Sequence, residues 1–444
     1  MALTGLQIYK MLPRTNCKEC GQATCLAFAM QLAAGKASLD LCPHVSQEAR
    51  EALSSASEPP IALVKIGAGE HAVELGNETV LFRHDKRFVH PTAIAVTVSD
   101  LLDKEQIARR VEEINGLFFE RVGQVEGVNL VAVKQDGDRD RFAAAVRVAR
   151  EKSALPLMLI SEDAGALAGA LEIAGDGRPL ICGATRANRE AVVELARKYD
   201  CPLVVRSDNL DDLAGLVDET VKAGHKQLIL DTGARSVERV LADQTLVRRL
   251  AVNKRFRLFG YPTVAFACSG DAIQDMLDAA VYIGKYAAVV VVDSAERADI
   301  LPLITWRLNI YTDPQKPIAV EAKVYEVGKP GPDSPVFLTT NFSLTYFCVA
   351  GDIEGARTSA YILPVDTEGT SVLTAWAAGK LAPEKIAEFI EKSGIAERVR
   401  HRKLIIPGGL AVMSGKLQEA TGWEILVGPR ESSSINAFLK EHWS

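Results

Sequence analysis

The chain has 444 residues, 48% of them apolar and 24% charged, and its charge sum is −6 with no basic block. That length exceeds what one core serves and calls for two or three domains, with the balance of an ordinary globular protein. Excluded by the same reading are a bilayer-crossing segment of roughly 20 apolar residues, a secretory leader in "MALTGLQIYKMLPR", and a nucleic-acid surface. A cytoplasmic location is therefore expected, with no membrane or nucleic-acid partner.

The first feature along the chain is "NCKECGQATC", followed by "CPH". Cys17, Cys20, Cys25 and Cys42 give the spacing C-x2-C-x4-C-x16-C, and the other four cysteines are scattered. In a reducing compartment such a cluster reads as metal-binding or redox-active rather than as disulfides. Three thiolates on a tight loop suit three corners of one iron–sulfur cube, and a fourth returns from further along to close it. Gly21 allows the backbone to pass close to inorganic sulfide. Thr24 is placed to cap a helix through "CLAFAMQLAAG", which Gly35 ends. Leu26, Phe28, Met30 and Leu32 are expected to wall the centre from water, and Pro43 follows the fourth cysteine as in bacterial ferredoxin runs. Zinc is an open alternative, although a zinc ribbon pairs two C-x2-C knuckles and only one is present. Thiols without metal are the third reading. His44 is a spare ligand, a bystander if all four cysteines bind.

The small, polar run "SSASEPP" (54–60) ends this first domain, residues 1–57. "ALVKIG", "HAVEL" and "TVLF" then read as a hairpin-like lead-in. From about Pro91, eight apolar runs alternate with amphipathic helical stretches such as "RDRFAAAVRVAREK" and "NREAVVELARKY". The runs are "AIAVTVSD", "NLVAVKQD", "PLMLISED", "PLICGAT", "PLVVRSD", "QLILDTG", "TVAFACSG" and "AAVVVVDS". Strands this apolar are buried on both faces, as in a parallel sheet. Eight such repeats predict a closed (β/α)8 TIM barrel over residues 58–317. Polar residues at the strand ends are Asp100, Gln135, Asp136, Glu162, Asp163, Thr185, Asp208, Asp231, Ser269 and Asp293. They are either anchors for a polar ring or the ordinary residues of chain leaving a core.

The segment 311–320 is a second boundary, followed by the turn-rich "VGKPGPDSP". Strands "PVFLTTN", "AYILPVD", "KLIIPGG" and "EILVGP", with helical crossovers, predict a doubly wound, Rossmann-like α/β domain over residues 318–444. Its strand ends are rich in Thr, Ser and Gly, which give close backbone approach and neutral hydrogen bonds to an amide-decorated ligand. The same residues are equally ordinary in turns and caps. No G-x-G-x-x-G, P-loop or nucleophile–base pair is present.

Together the cysteine motif, the barrel, the C-terminal domain and the segment "PGGLAVMSGKLQEATGWEILVGP" resemble the large (gamma) subunit family of corrinoid iron–sulfur proteins of the reductive acetyl-CoA (Wood–Ljungdahl) pathway. The resemblance spans essentially the whole chain. It implies a methyl carrier, not an enzyme by itself, with two cofactors: a [4Fe–4S] cluster on Cys17, Cys20, Cys25 and Cys42, and a base-off cobamide in the C-terminal domain. The cobamide takes methyl from methyltetrahydrofolate through a separate methyltransferase and gives it to acetyl-CoA synthase/CO dehydrogenase, while the cluster reactivates Co(II) to Co(I). Implied partners are the small subunit, in a heterodimer, those two enzymes and a low-potential electron donor. None of the seven histidines (His44, His71, His84, His90, His225, His401, His442) sits in the D-x-H-x-x-G motif that supplies a lower cobalt ligand elsewhere, which agrees with base-off binding. Carried onto this sequence, the corrinoid contacts would be Thr340, Tyr346, Thr370, Ser371, Val372, Leu373, Gly408, Gly409, Ala411 and Gly428. Hinges are expected at the two linkers, 54–60 and 311–320. Two other readings stand beside this one. The first is a pterin-dependent methyltransferase barrel, with Asp231 and Asp100 as anchors, fused to an iron–sulfur module. The second is a corrinoid-free electron-transfer component.

Overall fold

The computed structural model describes residues 5–33, 37, 39–46, 49, 59–121 and 124–443. Most of the 54–60 linker, the boundary at residue 57 and Gly35 lie outside them. The chain divides into two units, residues 1–118 with 127–311, and residues 119–126 with 312–444. Among the described residues no helix is long and apolar enough to cross a membrane.

In the first unit the helices Gly5–Met11 and Cys25–Ala33 bracket an irregular loop. The lead-in hairpin is β1 (Val64–Ile66) with β2 (Val73–Leu75), antiparallel. "TVLF" does not join it, since residues 79–82 carry no strand. Val64, Ile66 and Leu75 are fully buried in one cluster with Ala93, Leu130, Leu180 and Val289. Backbone bonds from Ala62 to Gly260 and from Gly67 to Arg178 fix the hairpin beside residues that precede barrel strands. The hairpin thus closes the barrel where its strands begin.

After β3 (Ala93–Ser99) comes a two-stranded ribbon, β4 (Phe118–Arg121) and β5 (Gln124–Gly127). Then follow β6 (Leu130–Lys134), β7 (Leu157–Ile160), β8 (Leu180–Ala184), β9 (Leu203–Arg206), β10 (Leu228–Asp231), β11 (Thr263–Ala267) and β12 (Ala287–Val292). With β3 they form a closed barrel of eight parallel strands in chain order, β12 returning to β3 through Val292 opposite Val96. All eight predicted runs are in place, and their continuous apolarity reflects burial against the interior on one side and helices on the other. Asp103, Asp138, Asp163, Asn209 and Asp271 each accept amide hydrogens of the next helix's first turn. Much of the polarity at these turns is therefore helix capping.

The second unit carries β13 (Tyr325–Val327), β14 (Val336–Thr340), β15 (Ala360–Val365), β16 (Lys403–Ile406) and β17 (Glu424–Val427) in the spatial order β13-β15-β14-β16-β17. The four predicted strands are parallel. The fifth, β13, is antiparallel to β15 and makes the sheet mixed, an edge strand that the four-strand expectation did not include. Side chains alternate between faces. Val336, Leu338 and Leu363 pack with Ile386 and Leu417 on one side, and Phe337, Ile362 and Ile405 with Ile353 and Leu439 on the other. Helices therefore cover both faces, as double winding requires.

Candidate metal centre and ligand cleft

The loop between the first two helices is shaped by left-handed residues, with φ of 56° at Arg14, 52° at Asn16, 68° at Lys18 and 76° at Gly21. Only Gly21 adopts this without a Cβ cost, and the space beside its Cα is open. Asn16 ties the loop to the following helix. Its Oδ1 accepts the Cys25 amide at 2.8 Å, and its own amide donates to Cys25 Sγ at 3.4 Å. Thr24 Oγ1 accepts from Ala27 N at 3.1 Å, the cap its position suggests. Cys25 and Cys42 are buried, Cys17 and Cys20 half-buried, and all four thiols are free. The apolar wall differs from expectation. Phe28 and Ala29 form the buried face with Cys25 and Cys42, whereas Leu26 and Met30 point outward at 39% and 56% exposure. Helical periodicity is the reason, because 25, 28, 29 and 32 share one face and 26 and 30 another.

Among the described residues the one group of three possible metal donors within 4.8 Å of one another is Cys17, Glu19 and His44. No three of the cysteine sulfurs meet that limit. Four free thiols, two of them in a dry pocket with an N–H···S bond, are a donor set that suits a larger inorganic core.

In the second unit the sheet order reverses between β14 and β16, and a crevice opens outside their carboxyl ends, where α/β sheets bind ligands. This cleft holds about 680 Å³ and is lined by Thr339, Leu344, Cys348, Leu373, Gly409 and Arg430 among others. Leu344 and Leu373 are more than half exposed. Thr339, Thr340 and Ser343 are buried within one turn of chain, and none of their hydroxyls has a hydrogen-bond partner. Buried polar groups are rarely left unpaired. Of the three, Thr339 lines the cleft, and an apolar rim around an unpaired hydroxyl fits a large ligand bearing both apolar and polar surface.

Of the ten predicted contacts, Val372, Leu373 and Gly409 line this cleft, and Thr340 is not among the residues that line it, because its side chain points to the other face of the strand from Thr339. Thr370 is occupied within its own loop, its hydroxyl donating to Thr367 O at 2.7 Å. Ser371 pairs with Thr374 at 3.0 Å at the start of helix Val372–Ala377. Gly408 and Gly428 have a chain-packing reason to be glycine. A Cβ on Gly408 would stand 2.7 Å from Gly428 O, and one on Gly428 would stand 2.9 Å from Ile406 O. Ala411 is exposed in the 3-10 turn Gly408–Met413, whose Leu410 and Met413 are buried. Tyr346 is packed away from the cleft against Tyr325, ring centroids 4.6 Å apart, and burial pushes its phenol up to about 12. The sequence places Thr339 on the strand-end rim of small polar residues but does not single out Ser343, Leu344 or Cys348. The i, i+4 spacing of Leu344 and Cys348 just after a strand was the available signal. Asn341, on the same rim, has a role the sequence does not show: its Oδ1 accepts from Thr367 N at 2.9 Å and Gly369 N at 3.0 Å while its Nδ2 donates to Asp366 at 3.0 Å. Asn341 thereby pins the 366–371 loop to the end of β14.

The barrel's strand-end carboxylates are engaged with neighbours. Asp231 holds Arg235 through two bonds of 3.0 and 2.8 Å, Glu162 meets Arg206 at 2.9 Å, and Asp163 meets Arg139 at 2.6 Å. Asp136 takes hydrogen bonds from Lys134 and Ser99, and the first of these raises the Lys134 pKa. Asp293 accepts from Thr97, and Asp100 Oδ1 from the amides of Asp136 and Gly137. Burial pushes the thiol of Cys182 up, which disfavours its thiolate.

These parts define a modular α/β protein that joins a four-thiol loop, a parallel barrel and a switch-point cleft on one chain. A family model described as "CO dehydrogenase/acetyl-CoA synthase delta subunit" matches residues 63–439, and one described as "Putative Fe-S cluster" matches residues 12–44, which include all four clustered cysteines. The chain is 52% identical over 441 residues to the corrinoid/iron-sulfur protein large subunit of Moorella thermoacetica, covering 99% of each. It is 36% identical to the acetyl-CoA decarbonylase/synthase complex subunit gamma of Methanothermobacter thermautotrophicus, again over 99% of each. The chain belongs to this family, among the corrinoid/iron–sulfur protein large subunits. Among solved structures, the dihydropteroate synthase of Thermus thermophilus overlaps 52% of this chain and 98% of its own at 17% identity and a TM-score of 0.39, a likeness too slight to bear on ligands.

Proposed function

We propose that this chain is the methyl-carrying large subunit of a corrinoid iron–sulfur protein in the reductive acetyl-CoA pathway. It pairs with a small subunit and serves a methyltetrahydrofolate-dependent methyltransferase and acetyl-CoA synthase in turn. When bound, a cobamide supplies the cobalt nucleophile for methyl transfer, and a [4Fe–4S] cluster supplies the electron that returns oxidised cobalt to service. The residues of this chain bind, orient and exclude water.

Cys17, Cys20, Cys25 and Cys42 would hold the cluster, with Asn16 fixing the Cys25 corner and its amide bond to sulfur helping to set the potential. Val372, Leu373 and Leu344 offer apolar surface to a corrin ring, and Thr339 offers a hydroxyl to its amide-bearing arms. Asn341 keeps the 366–371 loop in place beside them. Residues 1–57, 58–317 and 318–444 are assigned to cluster, barrel and cobamide in that order. The observation that carries the reading is the switch-point cleft, where an apolar rim surrounds the buried Thr339 hydroxyl, which has no partner among the described residues.

Metal analysis of the anaerobically purified complex, with its optical spectrum, tests the reading. About one cobalt and four irons per large subunit are expected. A single zinc, or a cobalt-free complex that still contains the small subunit, rejects it.

A further inference from the structure

The trio of Cys17, Glu19 and His44 has a chemistry that the four-cysteine reading leaves unused. Cys17 Sγ, a Glu19 carboxylate oxygen and a His44 ring nitrogen lie within 4.8 Å of one another, and His44 Nε2 stands 3.1 Å from Glu19 Oε2. Thiolate, carboxylate and imidazole together are the donor mixture of borderline divalent ions such as Zn2+ and Fe2+. Two nitrogen or oxygen donors about 2.1 Å from one tetrahedral ion stand roughly 3.4 Å apart, close to the observed Glu19–His44 separation. Glu19 and His44 are exposed, which leaves a fourth position to water. Cys25 and Cys42 are built into the buried cluster of this region and Cys20 packs against it, but Cys17 does not belong to it. Cys17 is thus the thiol whose partners are set by the surface loop.

We propose that Cys17, Glu19 and His44 form a mononuclear divalent-metal site of mixed S, O and N donors that shares one thiolate with the four-cysteine centre. The exclusion part of this inference rests on the cluster assignment above. Because Cys17 serves both sets, the two cannot be filled together. A single ion at this site withholds one corner from the cluster, and a completed cluster abolishes the site. No electron or group transfer is involved, only loss of the thiol proton to solvent as the ion binds.

The test is an anaerobic Co2+ titration of the full chain stripped of metal and sulfide, followed by its thiolate-to-cobalt absorption. One equivalent should bind with the intensity of a single thiolate. Glu19→Gln and His44→Ala should each weaken binding about tenfold or more, while both, with all four cysteines intact, still take up four irons on reconstitution. Protein already carrying its cluster should show no such Co2+ site. The inference falls if the variants bind Co2+ as tightly as the parent, if the band has the intensity of three or four thiolates, or if cluster-loaded protein binds equally well. Failure of the parent chain to take up four irons and sulfides would instead count against the cluster assignment and leave the Co2+ result standing.

Discussion

Replacing Asn341 with alanine separates the order of the cleft loop from the chemistry of its ligand. The Asn341 carboxamide is buried and accepts from two backbone amides, Thr367 N and Gly369 N, both in buried surroundings, and from the Thr367 hydroxyl at 3.2 Å. Alanine removes the acceptor and leaves two buried donors unpaired. Each such donor costs about 1–3 kcal/mol, so the folded loop loses roughly 2–6 kcal/mol unless it opens to water. The expected compromise is local opening of residues 366–371, with amide exchange at Thr367 and Gly369 accelerated by about 30-fold or more, the equivalent of 2 kcal/mol. Hydrogen exchange read by mass spectrometry over that peptide measures this directly. Cobamide retention should fall in parallel, because Val372 and Leu373 hang from the same loop. Unchanged exchange together with unchanged retention would refute the idea that one side chain holds this edge of the cleft.

Three further outcomes follow from packing and charge. Glu78 pairs with buried Arg248 at 3.1 Å, and that guanidinium lies 5.5 and 5.0 Å from the ring centres of Phe88 and Tyr286; Glu78→Gln should cost about 3–5 kcal/mol by leaving a buried cation uncompensated, seen as a lower thermal midpoint that Arg248→Met partly restores. His225 is buried with Nε2 unpartnered, and desolvation lowers its pKa. Its unfolded form binds the proton more readily, so its contribution is complete above about pH 6.5 and fades as pH falls from there through the folded pKa. Urea midpoints measured from pH 7.5 down to 5 should therefore decline less steeply in His225→Gln than in the parent. Gly408→Ala should destabilise the C-terminal unit by about 1–3 kcal/mol with or without cobamide, whereas Gly409→Ala meets only the Leu373 side chain at 2.9 Å and should mainly alter cobamide binding; equal effects would contradict the distinction.

The barrel was legible because its strands are buried on both sides, so that "AAVVVV" and "NLVAVK" read as unbroken apolar runs. The ribbon Phe118–Gly127 was not, because "FFER" and "QVEG" show neither alternation nor continuity. Nor was β13, three residues long at a sheet edge inside a turn-rich stretch, where only tertiary pairing makes a strand. Cysteine spacing pointed to a metal centre because ligands on one loop are local in sequence. The cleft was half legible. Val372, Leu373, Gly409 and Thr339 lie at or just after strand ends, but the Asn341 clamp depends on contacts between segments about 26 residues apart. The wall of Leu26 and Met30 failed because counting apolar residues in a short helix ignores which of them face inward.

The hairpin that corks the barrel floor has a bearing on how such chains can be reassembled. Val64, Ile66 and Leu75 are fully hidden only because the barrel surrounds them, and uncovering three such side chains would forfeit about 5–9 kcal/mol, comparable with the whole stability of a domain. A recombination event that trades the thiol-bearing front for another redox head must therefore join upstream of residue 59, leaving the stopper with the vessel it seals.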